Sequence, residues 1–103
     1  MNNMIEKIRV MIADDERPAR EFLKALLHRM EDIDLVGEAE SGTEAIEKIR
    51  ALKPDLALLD LQMPEATGLE VVKALRKNQT PLVAFVTAFD DFAIQAFTAS
   101  RLA

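Results

Sequence analysis

Residues 56–60, LALLD, place four consecutive apolar residues directly before an acid. A strand exposed on one side alternates apolar and polar residues, so an unbroken apolar run this short predicts a strand covered on both faces. Strands of that kind belong to parallel sheets, whose crossover connections lay helices over the two faces. The flanking sequence supplies both elements. Residues 7–13, KIRVMIA, are β-branched and apolar enough for a first strand, which stops at Asp14-Asp15. From about Glu16, Pro18 stands where a first helical turn tolerates proline. Ala19, Phe22, Leu23, Leu26, Leu27 and Met30 then repeat at helical spacing. This predicts an amphipathic helix ending before the acidic turn from Glu31 to Asp34.

The pattern repeats. DLVGEAES reads as a second strand, and Ser41-Gly42-Thr43-Glu44 as a capping box opening a helix with Ala45, Ile46, Ile49 and Leu52 on one side. Pro54-Asp55 ends that helix before the run at Leu56. Thr67-Gly68-Leu69-Glu70 is a second capping box, leading into Val71, Val72 and Leu75 of a third helix. PLVAFVTA predicts a fourth strand, and Asp90 caps a fourth helix over DFAIQAFTA. The order βαβαβαβα implies one α/β domain over residues 1–103, a doubly wound parallel sheet with right-handed crossovers. No strand follows the fourth helix, which leaves strand four at the edge. An uncovered LVAFV edge is an association hazard, so the expectation is that something covers it.

Composition narrows the function. The chain has 13 basic and 18 acidic residues, a net charge of −5, which disfavours a nucleic-acid surface and suits sites that hold a cation. It has no cysteine, which excludes disulfides and thiolate metal sites. No apolar run approaches the ~18 residues of a membrane span, and the N-terminus is charged where a signal peptide carries its apolar core. Cytoplasm, without membrane contact, is the expectation.

Ligands of doubly wound sheets bind beyond the carboxyl ends of the strands. Asp14 and Asp15 end strand one, and Asp60 ends strand three. If those strands are neighbours, ~4.8 Å apart, the three carboxylates converge in one shallow pocket. Like charges so placed repel unless a cation joins them, and Mg²⁺, which takes one or two carboxylates and substrate phosphate oxygens, is the fitting ion. With the charge neutralised, Asp60 has the best position to act as a nucleophile toward phosphorus. Plainer readings exist beside this one. Asp14 or Asp15 alone would serve to cap helix one, although two adjacent acids exceed that need, and Asp60 alone would serve as a turn residue before Met63-Pro64. Thr87 is by default an ordinary strand residue, yet it ends strand four on the same rim. His28 has no partner and is assigned to the solvated side of helix one.

Taken together, ADDE after strand one, LLDLQMPEATG around Asp60 and FVTAFDDFAIQAF after strand four resemble the receiver domain of bacterial two-component response regulators. The last stretch is similar in particular to receivers that carry a LytTR-type DNA-binding domain. The resemblance implies a flavodoxin-like sheet of order 2-1-3-4-5, of which this chain would form 2-1-3-4 without the fifth strand and helix. It implies Asp60 as phosphoacceptor, Asp15 as direct Mg²⁺ ligand and Asp14 as the acid holding the metal through water. Gln62 would lend its backbone carbonyl to the metal, and Thr87 would be the switch hydroxyl. Ala88 would leave access to the acceptor, with Pro64 and Gly68 shaping the loop beyond it. The implied function is that of a phosphoryl-accepting switch and not an enzyme. Its partners would be a sensor histidine kinase and, through the strand-four/helix-four face, a second copy of the chain. The family also carries a lysine followed by proline after its fifth strand, which by spacing would fall a few residues beyond Ala103. The alternative is a truncated receiver that serves mainly as an association module. A phosphatase of the haloacid-dehalogenase type would show an acid two residues after the nucleophile, where Gln62 stands.

Overall fold

Strand and helix alternate as the patterns predict, in a computed structural model that describes residues 6–86. The elements are β1 (Ile8–Ala13), α1 (Arg17–His28), β2 (Ile33–Ala39), α2 (Gly42–Leu52), β3 (Leu56–Leu59), α3 (Gly68–Ala74) and β4 (Leu82–Phe85). A single turn of 3₁₀ helix, Lys77–Gln79, precedes β4. The expected fourth helix lies outside the described residues. All strand pairs are parallel, in the order β2-β1-β3-β4. This is the doubly wound arrangement the sequence implies, and β1 and β3 are indeed neighbours.

The two faces of β1 divide the core. Val10 and Ile12 point toward α1 and pack with Leu23 and Leu27, while Met11 and Ala13 point the other way, into a cluster with Ala45, Ile49 and Val71 of α2 and α3. Alternate side chains of one strand thus feed two layers, as the pleat requires. Against β2 the register slips by one residue between Val10 and Met11, so Val36 is a bulge and Gly37 pairs with Met11.

At the amino ends of the strands one residue joins three of them. Asp55 donates its N–H to Arg9 O (2.8 Å), accepts Arg9 N–H on its carboxylate (2.9 Å), and accepts Leu82 N–H on its carbonyl (3.1 Å). Helix α2 stops just before it, at Lys53, whose left-handed φ of 49° turns the chain, followed by buried Pro54.

Three expectations need correction. The apolar row on α1 is only partly buried: Leu27 and Leu23 meet the sheet, whereas Phe22 (64% exposed), Leu26 and Met30 (50% exposed) face solvent. Phe22, Leu26 and Met30 follow one another at i, i+4, i+8, a row that lies to the side of Leu23 and Leu27 and is wider than the helix's contact with the sheet. Strand β3 is fully buried only toward α2 and α3, at Ala57 and Leu59. Leu56 and Leu58 face α1 and are half-buried, because that one helix covers less of the sheet among the described residues. The capping box at Ser41 is half formed: Ser41 Oγ accepts Glu44 N–H (3.1 Å), but Glu44 reaches past Ser41 to the N–H of Glu40 (2.7 Å). The box at Thr67 is complete, with reciprocal bonds of 2.9 and 3.1 Å to Glu70.

Candidate metal and phosphoacceptor site

The two central strands carry the acids to one place. Ala13 of β1 pairs with Leu59 of β3, and Asp60 N–H continues the ladder to Ala13 O (2.9 Å), so Asp14 and Asp60 emerge side by side. One carboxylate oxygen from each of Asp14, Asp15 and Asp60 lies within 4.8 Å of the others. Asp14 is buried, Asp60 half-buried and Asp15 exposed, so the group runs from the carboxyl end of the sheet to solvent. Asp15, Glu16, Asp60, Gln62, Met63, Pro64 and Thr67 line a cleft of ≈ 800 Å³ in front of it.

Local structure explains how each acid is held. Asp14 accepts Glu16 N–H on its carboxylate (2.9 Å), an Asx-type turn ahead of α1. The helix itself begins after Glu16, which makes no side-chain cap, so neither Asp14 nor Asp15 is its N-cap. Beyond β3, Gly68 N–H returns to Leu61 O (2.9 Å), and the loop is so close that a Cβ on Gly68 would stand 2.5 Å from Asp60 O. The same loop crosses the start of α2. There Gly42 N–H bonds Pro64 O (3.1 Å), and a Cβ on Gly42 would lie 2.0 Å from Ala66 O. Glu65 makes the bend with a left-handed φ of 72°.

Electrostatics mark the site as short of positive charge. Burial is the main cause that lifts the Asp60 pKa to about 6; the neighbouring Asp14 charge adds to it, and backbone N–H groups of Gln62 and Leu61 oppose it. Asp14 is raised as well, first by burial, with its bond from Glu16 N–H working against the rise. Among the described residues none of the three carboxylates takes part in an ion pair. Lys24 is engaged with Glu21 and Glu38, and Lys48 with Glu44 and the carbonyl of Glu38. An all-oxygen donor set with uncompensated negative charge fits a hard divalent cation such as Mg²⁺.

Of the residues expected at the site, Asp14, Asp15, Asp60 and Gln62 come together, with Pro64 and Gly68 in the loop beside them. Thr87 and Ala88 lie outside the described residues. Sequence reasoning missed Gly42 and Arg20. Arg20 is buried at the polar end of the α1 stripe, and a charged residue three before Leu23 and seven before Leu27 was the available signal.

The family model of the response regulator receiver domain matches residues 10–101. The chain belongs to that family. It is 48% identical over 90 residues to the transcriptional regulatory protein BtsR of Salmonella typhi, and 46% identical to BtsR of Escherichia coli K12. Each alignment covers 87% of this chain and 38% of the relative, so the chain spans well under half the length of these relatives. The signal receiver domain of the putative response regulator NarL from Mycobacterium tuberculosis superposes with a TM-score of 0.80 at 37% identity, covering 91% of this chain and 78% of that one. The response regulator domain of Thermotoga maritima CheB gives 0.80 at 32%, covering 92% and 74%. Receiver domains are signalling modules rather than enzymes, are phosphorylated by histidine kinases, and typically bind Mg²⁺ at an acidic cluster of this kind. No helix among the described residues is long and apolar enough to cross a membrane.

Proposed function

We propose that this chain is a phosphoryl-accepting switch in which Asp60 receives the phosphoryl group of a sensor histidine kinase. The observation that carries this reading is the meeting of Asp14, Asp15 and Asp60 within 4.8 Å at the carboxyl ends of β1 and β3. A carboxylate oxygen of Asp60 forms the new bond to phosphorus as the P–N bond of phosphohistidine breaks. The electron pair of that bond stays with the leaving imidazole, which is protonated from solvent. When bound, Mg²⁺ supplies the positive charge that lets carboxylates and phosphoryl oxygens share one small volume. Asp14, Asp15, Asp60 and the backbone carbonyl of Gln62 would hold it. Thr87 donates its hydroxyl to a phosphoryl oxygen, and the accompanying movement changes the strand-four/helix-four face. Pro64 and Gly68 keep the loop beyond Asp60 low enough for the donor to approach.

The output follows from the relatives, which are transcriptional regulatory proteins. In our reading the chain is the receiver part of such a regulator, acts in the cytoplasm, and leaves DNA contact to a LytTR-type domain outside these residues. The face around β4 is the contact between copies, since among the described residues β4 lies at the sheet edge with Leu82 77% exposed.

The test is a mass measurement. With a small phosphodonor and Mg²⁺ the protein should gain one phosphoryl mass, and should fail to gain it when Mg²⁺ is chelated beforehand or in Asp60→Asn. An unmodified mass at saturating donor would sink the proposal. Light scattering with and without the donor tests the pairing of copies, and a strict monomer in both states would remove it.

A further inference from the structure

Arg20 is 7% exposed, the most buried basic residue among those described, and it touches no carboxylate of the acidic cluster. Its guanidinium points back from α1 across the end of β1. One terminal nitrogen donates to the main-chain oxygen of Asp14 at 2.8 Å, Nε donates to Glu38 Oε1 at 3.1 Å, and the other terminal nitrogen pairs with Glu40 Oε1 at 3.8 Å. Asp14 is thereby fixed on three sides. Its N–H is tied to Ala39 O of β2 (3.1 Å), its carbonyl to Arg20, and one carboxylate oxygen to Glu16 N–H (2.9 Å). The second carboxylate oxygen takes no hydrogen bond among the described residues.

We infer that Arg20 is a positioning residue for the cation site: it sets where the Asp14 carboxylate stands by gripping the Asp14 backbone, and so raises the affinity for Mg²⁺ without touching the ion. This rests on the reading of the acids as a Mg²⁺ site. The physical basis is pre-organisation. A cation that demands near-ideal geometry binds tightly only when its carboxylates are held in place before it arrives, and an outer group that holds a ligand contributes to that affinity. The planar fork of arginine suits the task, because one rigid group can donate to a carbonyl and to Glu38 of β2 while pairing with Glu40 just beyond that strand. A lysine offers a single point charge and cannot span all three. Glu38 would survive the loss of Arg20, since Lys24 Nζ also holds it at 3.0 Å, so the fold does not depend on Arg20 alone.

The experiment is Mg²⁺ titration of the full chain, followed by calorimetry and by backbone amide shifts of Asp14 and Asp15, alongside thermal melting without metal. Arg20→Met should weaken Mg²⁺ binding by about tenfold or more, and Arg20→Lys by less, while Glu40→Gln stays within about twofold of the unmodified chain. The metal-free amide shifts of Asp14 and Asp15 should move in the two Arg20 variants, which a purely stabilising role would leave in place. A folded Arg20 variant that binds Mg²⁺ as tightly as the unmodified chain would overturn the inference. Should Arg20→Met fail to fold, Arg20→Lys decides by the same criterion. An unmodified chain that binds no Mg²⁺ would instead remove the functional reading, and this inference with it.

Discussion

The turn after β1 and the loop after β3 bring their aspartates to one rim by different means. After β1 the chain is held by side chains: the Arg20 guanidinium on Asp14 O, and the Asp14 carboxylate on Glu16 N–H. After β3 it is held by close backbone approach, with Gly68 against Asp60 O, Gly42 under Ala66 O, and a left-handed Glu65 between. Side-chain anchors tolerate replacement in graded steps, because a longer or shorter group loses some bonds and keeps others. Backbone approach leaves no room for even one methyl group. The half of the rim that carries Asp14 and Asp15 is therefore tunable, and the half that carries Asp60 is close to all-or-none.

The largest effect expected from this contrast is at Gly42. Gly42→Ala drives a Cβ to 2.0 Å from a main-chain oxygen that no rotamer can clear, and should cost about 3 kcal/mol in denaturant unfolding or prevent folding. A comparable truncation on the other side, Glu16→Ala, removes no cap bond and should stay within about 0.5 kcal/mol. Equal costs for the two would dissolve the distinction.

Next in size is the response to pH. The Asp60 pKa of about 6 lies above its ordinary value of 3.8, so between those values the folded chain binds more protons than the unfolded one. Metal-free stability should fall as pH rises through that window and level off above about 6. Asp60→Asn removes the penalty, and should raise stability at pH 7 by about 1 kcal/mol, or several degrees in Tm, with no gain below pH ~4. Asp14→Asn should gain less, because the bond from Glu16 N–H and the nearby Arg20 charge together hold down the rise at Asp14. The absence of any pH-dependent difference between Asp60→Asn and the unmodified chain would contradict the charge picture.

Smaller still is the helix cap. Thr67→Ala loses the reciprocal pair with Glu70 and should cost about 1 kcal/mol, whereas Ser41→Ala loses the single bond to Glu44 N–H and should cost less. Ranking these two by thermal melting sharpens the view that the loop after β3 is the more tightly built.

Much of this was legible in the sequence, for reasons specific to each element. Four apolar residues before Asp60 told of a central parallel strand, and the acids after strands one and three told of a shared rim, because strand periodicity and the parallel rule act locally. The exposed row Phe22, Leu26 and Met30 was misjudged because helical spacing reports which residues share a face, not how broad a face the sheet will cover. Gly42 and Arg20 were missed because their importance lies in contacts with residues 24 and 6 positions away, to Ala66 and Asp14. Half of the Ser41 box was misplaced because the Glu44 side chain reaches one residue further back, to the N–H of Glu40, while Ser41 remains the cap.

Asp55 carries a consequence for the whole rim. It ties β1, β3 and β4 together at their amino ends, five residues before Asp60, at the end of the sheet opposite the chemistry. Each residue advances a strand by about 3.3 Å and turns its side chain to the other face. A slip of one position at Asp55 would therefore carry Asp60 past its companions and aim it into the wrong layer. Asp55 serves as the origin from which the acids are measured out, so the distance between their carboxylates is set from below as well as by the close-packed loops at the far end.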